Sequence, residues 1–230
     1  MSDWIEDTLY SNGVLKNKYH IHDQKLLEEV EYRESNERAL LILQKQPKIK
    51  DISYLAKIHK FMFNSLYDWA GEYRPGNFQK NGFEFFDHSR FEFAEQNINS
   101  LMKQQPNKEP LQAEDYAKLL DEINFMHPFR EGNGRSTKTF LQAYAANHEQ
   151  VLDYPRQNDE MIQAQNEADV KHISRLLKVQ NSPTREVAFK TLVKQHKERQ
   201  AETLSQAELA AQYEAQQQQQ GLEQGGLELE

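Results

Sequence analysis

The chain has 230 residues, with 28 Lys and Arg against 36 Asp and Glu, and therefore a net charge of −8. The absence of cysteine excludes a disulfide scaffold, a thiolate metal site and a cysteine nucleophile. An acidic chain also lacks the basic face that phosphate-led nucleic-acid binding needs, and it shows neither a membrane span nor a signal peptide. We therefore expect a cytoplasmic globular protein with no nucleic-acid or membrane partner.

Apolar residues recur mostly at helical spacing, so we expect an all-α body. One apolar stripe with steps of three and four residues runs from Ile52 to Leu66 and includes His59, which we interpret as a hydrogen-bonded core residue. A later helix must end near His127, because Pro128 disfavours the helical conformation in the residue before it. Further helices are predicted after Gly134, between Met161 and Leu177, and from Val187 to Val193.

An aromatic-rich segment, NFQKNGFEFF at Asn77–Phe86, interrupts the helical pattern. It contains Asn81-Gly82, the pair typical of a two-residue type I′ turn, in which both central residues have positive φ. The segment predicts a small β-hairpin. Two interpretations stay open: an ordinary surface turn, or a flap that presents its backbone to a substrate strand.

The composition changes sharply near Gln200. The remaining residues include five consecutive Gln and a single aromatic side chain, so little apolar surface is available to stabilise an ordered fold. We expect a domain over residues 1–200 followed by a Gln- and Glu-rich tail over residues 201–230.

The segment HPFREGNGRSTK, His127–Lys138, carries the clearest chemical signal. A helix stops, a loop with two glycines follows, and a second helix opens near Arg135, so free amides meet at a positive helix end. Such an end binds anions, and Arg135 and Lys138 lie three residues apart on one helical face. We expect a polyphosphate, with Asn133 adding an amide donor.

Two further residues of this segment complete the predicted chemistry. Glu131 would repel a polyphosphate alone, so we interpret it as a ligand for Mg²⁺ shared with the phosphates. His127 lies on the opposite side of the loop, and a neutral imidazole is suited to take a proton from an attacking hydroxyl. Each residue taken singly has an ordinary structural explanation, and the functional interpretation depends on their combination. The chain lacks GxxxxGK[ST], so a P-loop enzyme is not indicated.

The sequence HPFREGNGR closely resembles HPFx[D/E]GNGRxxR, the signature of the Fic family, whose members mostly transfer AMP from ATP to a hydroxyl of a target protein. LKNKYHI at Leu15–Ile21, YDWAGEYR at Tyr67–Arg74 and the flap stretch FQKNGFEF are similar to the same family. The resemblance covers roughly residues 8 to 195. It implies a mainly helical Fic fold with a hairpin flap.

The resemblance also implies an enzyme, a protein adenylyltransferase that uses ATP as substrate together with Mg²⁺ and modifies a Tyr, Ser or Thr hydroxyl. In it, His127 deprotonates the hydroxyl, Phe129 anchors the loop in the core, and Glu131 holds Mg²⁺ against the α- and β-phosphates. Lys80 and Phe83 of the flap help to clamp a target segment that binds by main-chain pairing.

The same resemblance implies which residues contact each of the three phosphates. Gly132, Asn133 and Gly134 cradle the α-phosphate, and Arg135 meets the β-phosphate. The sequence departs from the family at Lys138, where a second arginine usually meets the γ-phosphate; lysine keeps the charge but loses the bidentate fork. Doc-type kinases of the family have lysine in place of Gly134, so glycine there favours nucleotidyl transfer.

Two alternative functions stay open at this point. One is a hydrolase that removes AMP with the same loop, with Glu131 or His127 orienting a water. The other is a catalytically weak interaction module that docks a partner through the flap and the acidic surface.

Many Fic proteins are inhibited by a helix carrying [S/T]xxxE[G/N]. This chain has near misses only, Ser2 with Glu6 and Ser182 with Glu186, and neither glutamate is followed by Gly or Asn. We therefore expect no internal inhibitory motif, and inhibition in trans by a small antitoxin-like protein. Delivery into another cell as an effector stays open.

Overall fold

A computed structural model describes residues 4–80, 82–104, 110–155 and 159–203. The chain divides into two units after Leu192. Every residue of the predicted site lies in the first unit, and residues 193–203 of the second unit are helical.

The described helices of the first unit are α1 (Trp4–Asp7), α2 (Gln24–Gln44), α3 (Ser53–Phe63), α4 (Phe91–Gln104), α5 (Ala113–Met126), α6 (Asn133–Asn147), α7 (Asp159–Asn166), α8 (Val170–Leu176) and α9 (185–192). A short 3₁₀ turn, His88–Arg90, precedes α4. The described strands are β1 (Gln79–Lys80), β2 (Phe83–Glu84), β3 (Gln150–Asp153) and β4 (Lys178–Asn181). The expected all-α fold with a small hairpin is confirmed.

Helix α6 lies at the centre of this unit. Eleven of its 15 residues are buried, and it packs against α2, α3, α5 and β3. A helix that is buried on most of its faces must pack against another element on each buried face, and these four elements do so. The first turn of α6, which carries the predicted anion site, is therefore held in place by the core.

Of the two helices that flank the predicted loop, α5 ends near His127 as predicted, whereas α6 begins at Asn133, two residues before the predicted start near Arg135. Helix α5 opens after Gln112, whose backbone N–H donates to Asp115 Oδ2 at 2.8 Å, while the Asp115 N–H donates to the Gln112 carbonyl at 3.0 Å. It ends at His127, whose left-handed conformation (φ 42°) turns the chain into Pro128. The apolar stripe of α3 is buried, as predicted, with His59 fully enclosed.

Two antiparallel strand pairs are present in the described residues. Strands β1 and β2 pair with Lys80 opposite Phe83, so the connection has two residues, and Gly82 has a φ of 79°. The predicted hairpin is confirmed, although Asn81 lies outside the described residues. The pair β3–β4 was not predicted, because its strands are four residues long and directly follow helices.

Most of the predicted tail, residues 204–230, lies outside the described residues, so the boundary near residue 200 stays a prediction. No helix in the described ranges has both the length and the apolar character needed to cross a bilayer.

Candidate active site

The loop between α5 and α6 is closed by its own side chains. The Phe129 N–H donates to Asn133 Oδ1 at 2.9 Å, and Asn133 Nδ2 donates back to the Phe129 carbonyl at 2.8 Å. Phe129 is fully buried, in agreement with its expected anchoring role. The Asn133 side chain therefore holds the loop, and its expected role as an amide donor to the anion stays a prediction. Its backbone N–H stays available in the first turn of α6.

The two glycines of the loop meet different constraints. Gly132 has a φ of 78°, and a Cβ there would lie 2.5 Å from the Phe63 ring, so only glycine fits. Gly134 is exposed, and nothing lies within 4 Å of its Cβ position. Gly132 is thus required by the fold itself, whereas the open space at Gly134 leaves its backbone accessible from outside.

The imidazole of His127 is covered by the flap. The Phe85 ring stacks on it with centroids 3.7 Å apart, and Phe78 lies at 6.0 Å. Burial lowers the pKa of His127 to about 3, and the charges of Lys80 and Arg74 act in the same direction, whereas the Asn124 carbonyl raises it. His127 is therefore neutral at ordinary pH, and burial also makes it a weaker base than an exposed imidazole.

The two ring nitrogens of His127 are not equivalent. Nδ1 is buried without a hydrogen bond of normal geometry to any described residue. A proton exchanged with a bound molecule would therefore be taken up at Nε2.

Arg74, which the sequence analysis did not single out, joins the flap to the loop. Its guanidinium donates to the carbonyls of His127 (2.9 Å), Met126 (3.3 Å), Gly76 and Phe86. Its own N–H donates to the Pro128 carbonyl at 2.7 Å. The side chain is buried, and burial lowers its pKa to about 10, so it stays charged. A buried arginine that binds carbonyls of two segments fixes one against the other.

Arg135 lies in the first turn of α6 and forms an ion pair with Glu31 of α2. Its guanidinium also donates to Ser35 Oγ at 3.2 Å and lies 5.0 Å from the Phe63 ring centroid. The second oxygen of Glu31 accepts a hydrogen bond from the Tyr67 hydroxyl. The sequence analysis missed Glu31, since nothing in the charged run of α2 distinguishes it from neighbouring glutamates.

Lys138 lies one turn after Arg135, with its Nζ 5.1 Å from the Tyr154 ring centroid. The two cations, expected to face a common anion, thus lie against different elements: Arg135 against α2 and α3, and Lys138 against the segment after β3. Their convergence on one polyphosphate stays a prediction.

Glu131 has a side chain 38% exposed at the edge of the loop. Its Oε1 accepts from the Gly132 N–H at 2.9 Å and lies 3.7 Å from Arg135 Nη2. No group of three or more His, Cys, Asp or Glu side chains that could hold a metal occurs among the described residues. A cation at Glu131 would thus take most of its ligands from a bound substrate and from water.

His59 contacts the buried side of the loop. The Gly71 N–H donates to its Nδ1 at 2.8 Å, so the proton is on Nε2, which lies 2.9 Å from the Glu131 carbonyl. Its ring stacks on Phe129 with centroids 3.8 Å apart. Burial lowers the pKa of His59 to about 4. The interpretation of His59 as a satisfied core residue agrees with these contacts.

The flap residues Lys80 and Phe83 lie beside the loop. The Lys80 side chain is exposed, and its charge acts on His127. The Phe83 ring packs edge-on against Phe85 at 5.2 Å and against Phe125 at 6.4 Å. The rings that contact His127 are those of Phe78 and Phe85, which flank the two strands. The outer edges of the two strands pair with no other described strand.

Comparison with known proteins places this site in a family. A sequence model of the Fic/DOC family matches residues 50–145, which include the flap and the whole loop. Protein adenylyltransferase VbhT of Bartonella schoenbuchensis is 30% identical over 158 residues, covering 66% of this chain and 33% of VbhT. The Sinorhizobium fredii protein named probable protein adenylyltransferase y4lH is 34% identical over 147 residues, covering 60% of this chain and 74% of that protein. The chain therefore spans about a third of VbhT and most of y4lH.

A solved structure has the same fold. The BepC protein of Bartonella tribocorum, a VirB-translocated effector crystallised with bound AMPPNP, superposes with a TM-score of 0.68 at 21% identity. The match covers 76% of this chain and 98% of the BepC chain.

Proposed function

This chain belongs to the Fic/DOC family, and from that membership and the site geometry we propose that it is a protein adenylyltransferase. It transfers AMP from ATP to a Tyr, Ser or Thr hydroxyl of a target protein and releases pyrophosphate. The observation that carries the proposal is the placement of a neutral His127 at one end of a loop whose other end is the open first turn of α6. The names of the relatives, all adenylyltransferases, do not favour the hydrolase or the interaction module.

The first turn of α6 is the proposed phosphate site. The N–H groups of Asn133, Gly134 and Arg135 have no partner within the helix, and the helix end is positive. The open space at Gly134 lets a phosphate approach the backbone. Arg135 then meets the β-phosphate and Lys138 the γ-phosphate, each as a charge-assisted contact.

Glu131 is the proposed Mg²⁺ ligand. A single exposed carboxylate fits this ion, which is usually held by one or two carboxylates together with substrate phosphates. When bound, Mg²⁺ neutralises phosphate charge. Since the donor is ATP, we place the reaction in a cytoplasm, either of the producing cell or of a cell that receives the protein.

His127 is the proposed general base. The target oxygen attacks the α-phosphorus in line, the bond from that phosphorus to the oxygen bridging the β-phosphate breaks, and the hydroxyl proton passes to Nε2 of His127. Arg74 fixes the His127 carbonyl and therefore the position of the base. Catalysis depends on positioning and on charge stabilisation.

The flap is the proposed site for the target chain. An extended target segment pairs with an open edge of the β1–β2 hairpin, with Lys80 and Phe83 clamping it above His127. We also propose that a small antitoxin-like protein inhibits the enzyme in trans, because neither near-miss motif of the chain is complete.

Labelled ATP tests the proposed function. The chain is incubated with ATP labelled at the α-phosphate, Mg²⁺ and a bacterial lysate, beside His127→Ala. We expect covalent label on protein, and a rate lower by about 10² to 10⁴ in the variant, as is typical when a general base is lost. The same experiment with label at the γ-phosphate should add no protein label beyond that seen in the lysate without the chain. Label from the γ-phosphate would indicate a kinase, and equal labelling by wild type and variant would remove His127 from the reaction.

A further inference from the structure

A cavity of about 260 Å³ opens beside the flap, on the side of Phe83 that faces α5 and the end of α7. Its aromatic walls are Phe83 of β2 and Phe125 of α5. Gln165 and Ala168 close the far side.

Two carboxylates, Asp121 and Glu122, also line this cavity. Among the described residues, neither makes a hydrogen bond or an ion pair with another side chain. Burial raises the pKa of Asp121, and the charge of Glu122 adds to the rise. The cavity therefore combines apolar walls with two carboxylates that have no ion-pair partner among the described residues. A long basic side chain fits both, because its stem packs on aromatic rings while its cation meets carboxylates.

The cavity is linked to the catalytic base by a short series of aromatic contacts. Phe83 packs against Phe85 at 5.2 Å, and Phe85 stacks on His127 at 3.7 Å. The Phe86 N–H donates to the Phe125 carbonyl at 2.9 Å, which joins the flap to α5 two residues before His127. A strand on the flap would place alternate side chains on one face, about 7 Å apart. On such a strand, a residue two positions from the acceptor hydroxyl would lie on the same face as that hydroxyl.

We propose that this cavity is a specificity pocket for an arginine or lysine side chain of the target segment, two residues from the modified hydroxyl. The proposal rests on the proposed function, since it names the kind of target that the same flap receives. The negative charge of Asp121 and Glu122 selects the cation, and the rings of Phe83 and Phe125 hold its stem.

Peptide binding tests this inference without requiring catalysis. The probes are two acetylated, amidated pentapeptides with a tyrosine and an arginine two residues before or after it, each with a matched norleucine peptide. Binding to the full chain is followed by NMR through the ring resonances of Phe83 and Phe125. We expect at least one arginine peptide to bind about tenfold more tightly than its norleucine partner.

The variant Asp121→Asn/Glu122→Gln should abolish this difference. The matched control, Glu92→Gln/Glu114→Gln, removes the same charge from exposed sites on α4 and α5 and should leave the difference unchanged. Equal binding of arginine and norleucine peptides to the wild type, or an unchanged difference in the Asp121 and Glu122 variant, would overturn the pocket.

A parallel labelling assay separates this inference from the proposed function. Label on lysate proteins without an arginine preference in the peptides retains the transferase and rejects the pocket. An arginine preference without any label on protein retains the pocket as a peptide site and rejects the transferase.

Discussion

Glu31 and Arg135, 104 residues apart in the sequence, form an ion pair between α2 and the first turn of α6. Their side chains are only 9% and 29% exposed. The Tyr67 hydroxyl donates to the other oxygen of Glu31 and so fixes the carboxylate. The arginine assigned to the β-phosphate is therefore held by a glutamate.

Removing the charge of Glu31 should destabilise the protein. In Glu31→Gln the guanidinium of Arg135 loses its counter-charge, and we expect the free energy of unfolding to fall by about 1 to 3 kcal/mol. Urea denaturation measures this loss. The control is Glu28→Gln on the exposed side of α2, which should change stability by less than about 0.5 kcal/mol. Equal losses in the two variants would mean that the ion pair contributes no more than a surface charge.

Arg135→Gln should weaken ATP binding more than AMP binding, because AMP has no β-phosphate for this side chain to meet. Isothermal titration calorimetry with both nucleotides gives the two affinities, and a thermal melt checks that the variant is folded. A similar loss for ATP and AMP would place Arg135 away from the β-phosphate.

The variant Gly134→Ala distinguishes the effect of this position on stability from its effect on ATP affinity. Its backbone φ is not positive and its Cβ position is open, so we expect stability to be unchanged or raised by up to about 1 kcal/mol. ATP affinity should fall about tenfold, since a methyl group would occupy the space beside the first-turn N–H groups. Gly132→Ala is the contrasting variant and should be strongly destabilised by contact with Phe63. Wild-type ATP affinity in Gly134→Ala would argue against a phosphate at this turn.

Acid should destabilise the protein through its buried histidines. The pKa of His59 is about 4 in the folded chain, against an ordinary value of 6.5. Between these values the unfolded chain binds a proton that the folded chain does not, so stability falls as the pH decreases from about 6.5. The decrease in the free energy of unfolding that His59 causes reaches about 3 kcal/mol near pH 4, and it is absent above pH 6.5.

The variant His59→Gln isolates this contribution, since His127 remains and acts in the same direction. Chemical denaturation at several pH values should give a shallower pH dependence for the variant. Parallel curves for the two proteins would show that His59 does not titrate as described.

Inhibition is expected to come from a second protein. The carboxylate of Glu186 pairs with Lys190 on an exposed helix face at 2.8 Å, and Glu6 is an exposed residue of α1. The isolated chain should label target protein at the same rate as Glu6→Gly and Glu186→Gly. If either variant activates an otherwise silent chain, the inhibitory segment is internal.

The sequence predicted those parts of the site that depend on local geometry. Pro128 predicts the end of α5 and the Asn81-Gly82 pair predicts the hairpin, while Gly132, whose φ is positive, lies at the turn of the loop. Glu31 and Arg74 were missed because their partners lie far along the chain, at separations of up to 104 and 53 residues. Only the packed structure shows which glutamate of α2 faces inward and which arginine is buried.

The hydrogen bonds of Arg74 have a consequence for how an acceptor residue is chosen. The same guanidinium donates to carbonyls at the two ends of the flap and to the carbonyl of His127. The flap edge that pairs with the target is therefore fixed in position relative to His127, the proposed general base. The register in which a target strand pairs with that edge therefore determines which of its residues faces the imidazole of His127. A slip of one residue turns its hydroxyl to the opposite face, away from the base. In the proposed reaction, an acceptor is therefore selected by its position along the paired strand as well as by its chemical type.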